Sequence, residues 1–135
     1  MDWRDHMLYN VKKKDIEKLI EMAVRREQKP SKTIISSSPA FTEWVRKDDP
    51  QLSEDKLIGG FLRTFSYEQI QTLQTIMYLG RDRDIEISDK SSEAIFDEKM
   101  RRLIWTNDIE IEIGTIVSKR PLASYLKEGM QLLKL

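Results

Sequence analysis

The sequence contains no cysteine and a single histidine, His6. The first absence excludes disulfides, thiolate nucleophiles and cysteine-ligated metals. The second excludes a multi-histidine zinc site within one chain. No apolar run approaches the length of a membrane span, and Met1-Asp2-Trp3-Arg4-Asp5-His6 does not read as a secretion signal. The expectation is a cytoplasmic protein with no membrane partner. An excess of one charge is missing too, since 23 Lys/Arg balance 23 Asp/Glu. Nothing global therefore points to nucleic acid. There is no Walker or Rossmann glycine loop, no Gly-x-Ser-x-Gly elbow and no His-Glu-x-x-His. No catalytic residue, metal site or cofactor is expected, and the chain does not read as an enzyme.

What is present is charge and helical periodicity. At 135 residues, 34% of them charged, the chain reads as one helical domain, 1–135, long enough to bury a core. The clearest local code begins at Ser66, an N-cap whose hydroxyl can accept from the Gln69 amide, while Gln69 reaches back in a capping box. Phe65 and Ile70 stand where a hydrophobic staple would put them. Glu68 suits the positive end of the helix dipole. Ile70, Leu73, Ile76, Met77 and Leu79 line one face, and Gly80 reads as a left-handed stop, so the expected helix is 67–79.

Earlier, Ile16, Leu19, Ile20, Ala23 and Val24 predict a helix over 13–27. Residues 1–10 precede it as an arm or short helix. Pro30 and the serines make 28–38 a loop. Ser38-Pro39 opens a short helix carrying Phe41, Trp44 and Val45 on one face, stopped by Asp48-Asp49-Pro50. Ser53-Glu54-Asp55 caps the next, with Leu57, Ile58, Phe61 and Leu62. Gly59-Gly60 inside it costs about 1 kcal/mol per glycine relative to alanine and predicts close helix packing or a hinge.

Beyond Gly80, Arg81-Asp82-Arg83-Asp84 is too charged for core. Ser88-Asp89 is the expected cap of a helix carrying Ala94, Ile95, Phe96, Met100, Leu103 and Ile104 to about Thr106. A short extended segment competes with helix at 85–87 and at 109–113. In the latter, isoleucine alternates with acid as in a strand, but no partner strand is evident. Ile109, Ile113, Ile116 and Val117 also share a helical face, and helix is the preferred reading. Pro121 opens the final helix, with Leu122, Leu126, Met130 and Leu133 on one side. The fold class is all-α, an irregular bundle of five or six helices.

Two stretches, Tyr78-Leu79-Gly80-Arg81-Asp82 and Lys119-Arg120-Pro121-Leu122-Ala123-Ser124-Tyr125-Leu126-Lys127-Glu128-Gly129-Met130, resemble a family of short bacterial proteins known only as a domain of unknown function. The resemblance spans about residues 61–135. It implies a bacterial or phage origin and a mostly helical fold. It brings no activity, so no functional residue is transferred. The chain departs from the family pattern at Asp82-Arg83, where glycine and aspartate follow the arginine.

The function expected is non-enzymatic protein binding, as a bacterial or phage regulator or inhibitor. Its partner-binding residues are expected to be Phe41, Trp44, Arg81, Asp82 and Arg83. The two arginines offer planar donor forks to an anion, against the plainer reading of mutual ion pairs. The alternative is a nucleic-acid-associated regulator. Residues 1–47 carry 11 Lys/Arg against 7 Asp/Glu, and Lys12, Lys13, Lys14, Arg25 and Arg26 are its candidate phosphate contacts. A homodimer, suspected through the final helix, is a further possibility.

Overall fold

The computed structural model describes residues 11–29, 50–83 and 90–135. Among the described residues the chain is all-α: α1 (Lys13–Glu27), α2 (Leu52–Leu62), α3 (Tyr67–Asp82), α4 (Ser92–Arg102), α5 (Ile109–Ser118) and α6 (Leu122–Leu132). None of these helices is long and apolar enough to cross a membrane. The expected arm at 1–10, most of the 28–38 loop, the Phe41/Trp44 helix and the extended segment at 85–87 lie outside the described residues. The cap of α4 is Ser91, whose hydroxyl accepts from the Ala94 amide at 3.1 Å, not Ser88-Asp89, and α2 begins at Leu52 behind Gln51, so Ser53 lies inside the helix and is not its cap.

The bundle is organised around α3. Its N-terminus forms the expected capping box: Ser66 Oγ accepts from the Gln69 amide at 3.2 Å, and Gln69 Oε1 accepts from the Ser66 amide at 2.8 Å. From Ile70 to Gly80 nearly every side chain is buried, including Thr72, Gln74 and Thr75. A helix buried all round must lie between others. Accordingly α3 packs against α4, α5 and α6, while α1 packs on α2 and α6. The threonines are satisfied within their own helix, donating to Glu68 O and Gln71 O.

The helix does not stop at Gly80. It runs on to Asp82, and the left-handed cap residue is Arg83, at φ 48°. Gly80 is needed for another reason. A Cβ there would stand 1.8 Å from Tyr125 O of α6, and one on Gly129 would stand 2.0 Å from Ile76 O of α3. The two backbones therefore touch in a reciprocal crossing, each glycine receiving the other helix. The close packing expected at Gly59-Gly60 is absent. A Cβ on Gly59 meets only ordinary neighbours, Arg63 Nη1 at 3.4 Å and Val117 at 4.0 Å, and one on Gly60 meets nothing within 4 Å.

The ambiguous isoleucine–acid stretch is helical. Asp108 caps α5, its Oδ1 accepting from the Glu110 and Ile111 amides at 3.0 and 3.4 Å. Helical spacing buries Ile113 and Ile116, and it also buries Glu112, only 2% exposed. Strand alternation would have placed all the acids on the side away from the core. Helix α4 ends at Arg102 rather than near Thr106, because Leu103 is extended (φ −78°, ψ 147°).

Candidate functional site

The end of α4 creates the most exposed apolar feature among the described residues. In helical register position 104 falls seven residues beyond the exposed Asp97, on the outward side of α4. The extended Leu103 ends α4 with nothing among the described residues packed beyond it on that side, and Ile104 is 91% exposed. Trp105 folds back, its indole Nε1 donating to Met100 O at 3.2 Å, which fixes the ring. Met100, Leu103 and Trp105 with Gln71, Asp97 and Arg101 line an open groove of about 520 Å³. Beyond the corner lies Ile111, 52% exposed.

Polar contacts hold this corner in shape. Buried Glu112 accepts from the Thr106 amide at 3.0 Å and from the Tyr67 hydroxyl at 3.2 Å, and the same hydroxyl accepts from the Asn107 amide at 3.1 Å. Burial raises the Tyr67 pKa above its ordinary value of 10.0; the Asn107 hydrogen bond opposes this, and the negative charges of Glu112 and Asp108 reinforce it. Tyr67 therefore stays a neutral donor. The 103–108 connection is tied to both α3 and α5, so Ile104 and Trp105 are presented on a fixed frame.

The expected partner residues Arg81, Asp82 and Arg83 stand at the end of α3 with their charges matched inside the chain. Arg81 Nε donates to Asp82 Oδ1 at 2.7 Å and its guanidinium lies 4.4 Å from the Tyr78 ring centre. Asp82 Oδ2 also accepts from the buried Lys99 Nζ at 2.9 Å. Arg83 pairs with Glu128 at 3.2 Å. Desolvation pushes the Asp82 carboxyl up, but the hydrogen bonds from Arg81 and Lys99 and their charges outweigh it. Its pKa lies below the ordinary 3.8. A depressed carboxylate stabilises the fold above its unfolded pKa and loses that contribution as pH falls through the folded value. Asp82→Asn should therefore show a shallower loss of stability on acidification below about pH 4 than the wild type, in denaturant titrations at stepped pH. Parallel profiles would contradict this.

Of the five basic residues proposed for nucleic acid, Lys12, Lys13, Lys14 and Arg25 are exposed. Arg26 is not: it is fully buried, because it holds α1, α2 and the α5–α6 junction together. It donates to Glu27 Oε2, to Asp55 Oδ1, and to the carbonyls of Val117 and Lys119, the last two at 2.6 Å. Arg120 clamps Asp55 from the other side at 2.9 and 2.8 Å and bonds Gln51 Oε1. Lys14 and Arg25 also share their groove with Glu17 and Glu21, so this face is mixed in charge.

Phe41 and Trp44, the other two expected partner residues, lie outside the described residues. Sequence reasoning did not single out Ile104 and Trp105 as a surface. Arg101-Arg102 is a basic pair that suits a last helical turn, and it marks the end of α4 more closely than the expected Thr106. No family model, curated protein or solved structure matches the chain. The two stretches behind the family resemblance meet at the Gly80–Gly129 crossing, which gives both glycines a packing role.

Proposed function

We infer that this chain is a non-enzymatic protein-binding module, of the kind that regulates or inhibits by contact, and that its contact surface is the α4–α5 corner. The observation that carries this reading is Ile104, 91% exposed beside a groove containing Trp105. Leaving a large aliphatic side chain in water forgoes about 1.5–3 kcal/mol, and a rigid aromatic with an aliphatic neighbour is typical of the centre of a protein contact. The test is capture from native-host lysate with tagged wild type and Ile104→Asp, with and without nuclease, at low and moderate salt. The reading expects protein partners that survive nuclease and salt and are lost with Ile104→Asp. Equal capture by the variant contradicts it.

A second reading, nucleic-acid association, has one observation in its favour. Lys12, Lys13 and Lys14 are all exposed at the N-terminus of α1, the end of the helix dipole that disfavours positive charge. On this reading, changing Lys12, Lys13, Lys14 and Arg25 to Glu abolishes a salt-dependent capture of nucleic-acid proteins, and Arg26 is left intact because the fold needs it. On the preferred reading the same variant captures the same partners as the wild type.

A further inference from the structure

We propose that the occupant of the α4–α5 corner is a second copy of this chain, docked with its α4 antiparallel to the first. This rests on the reading that the corner is a protein contact, and it names the partner. The argument comes from the order of side chains along the outer face of α4. Ile95, Phe96 and Lys99 are buried. The exposed stripe opposite them is Ala94, Asp97 and Arg101, continued past the helix end by Ile104. Asp97 and Arg101 both line the groove, one turn apart, and both are exposed.

This order is complementary to itself when reversed. A two-fold axis passing beside Lys99 sets Asp97 of one protomer opposite Arg101 of its partner, and Arg101 opposite the partner's Asp97. The same operation brings the exposed Ile104, just past the end of α4, to the N-terminal half of the other copy's α4, where Ala94 is small and exposed, twice. A two-fold interface repeats every contact, so one favourable pairing becomes two. In the parallel arrangement Asp97 would meet Asp97 and Arg101 would meet Arg101. The charges thus select the antiparallel register, while the apolar pieces (Ile104, Leu103 and the Trp105 edge) supply the affinity. Flanking Glu98 is paired with Lys90 and Arg102, and Arg101 adds only a more distant attraction to it.

The experiment is sedimentation equilibrium of the full chain, up to about 1 mM, the weak end of specific association. The wild type is expected to dimerise reversibly. Ile104→Asp should weaken the dimer by about a hundredfold or more, because it removes two buried apolar contacts at once. Arg101→Asp should weaken it by about tenfold, since two attractions become two repulsions. Combining Asp97→Arg with Arg101→Asp should restore association to within about threefold of wild type, an outcome that a general loss of fold cannot produce. A wild type that stays monomeric throughout overturns the second copy as occupant. It leaves the protein-contact reading standing if lysate capture is still lost with Ile104→Asp. A dimer indifferent to Ile104→Asp, or a double variant no better than Arg101→Asp alone, also overturns the proposal.

Discussion

Arg26→Ala will destabilise the fold by about 3–5 kcal/mol, the range for removing one partner of a buried ion pair. The guanidinium is fully buried and meets four acceptors: two carboxylates, on Glu27 and Asp55, and two carbonyls, of Val117 and Lys119. Those carbonyls belong to the end of α5 and the turn before α6, and Arg26 is bonded to both as well as to Asp55. Arg120 keeps its own two bonds to Asp55, which will soften the electrostatic part but not the loss of the carbonyl contacts. Glu27 also accepts from the Ala123 amide at 3.1 Å in the first turn of α6, so its displacement would uncap that helix. Arg26→Lys will rescue little, because an ammonium is a compact point charge and lacks the planar fork that spans these acceptors. Denaturant unfolding checks both variants. A loss under about 1 kcal/mol for the alanine variant would mean that solvent reaches the site and replaces the bonds.

Gly80→Ala and Gly129→Ala will each destabilise the bundle by about 3 kcal/mol or more, beyond the usual cost of overpacking because the obstacle is backbone. The added Cβ would stand 1.8 Å from Tyr125 O or 2.0 Å from Ile76 O, so α3 and α6 must separate or tilt. Helix propensity argues the other way, favouring alanine by about 1 kcal/mol, so the sign decides between packing and propensity. Gly60→Ala and Gly114→Ala are the controls. Neither meets a neighbour within 4 Å, and both sit in helices, so each should stabilise by about 0.5–1 kcal/mol. Thermal or denaturant melts of the four variants should split into two destabilised and two stabilised. Four similar stabilities would show that the α3–α6 contact is looser than described.

The local codes of this chain were legible where side chain and backbone act within one turn. The Ser66–Gln69 box and the α1 stripe appear as the residues predict, with α1 spanning Lys13–Glu27. What needed the third dimension was the reason for each glycine. Gly80 reads as a terminator because glycine tolerates a left-handed backbone, yet its role is set by Tyr125, far along the chain. Arg26 reads as a solvated cation at a helix end, and only the convergence of α2 and the α5–α6 turn reveals a buried hub. Ile104 follows helical spacing, but spacing cannot tell where a helix stops. The extended backbone at Leu103 ends the helix before it, and the exposed Ile104 marks the location of the candidate contact. Asp97 and Arg101 carried no signal alone, since a charge pattern becomes a recognition code only once its face is known to be open.

The most direct test of that contact is hydrogen–deuterium exchange, comparing the dilute chain alone with the complex it forms, whether with itself or with a protein captured from host lysate. Slowed exchange centred on residues 97–111, with 11–29 unchanged, is the result predicted for a contact built on Ile104 and Trp105. Protection confined to 11–29, with the α4–α5 corner exchanging as in the free chain, would contradict it and return the basic face of α1 to first place.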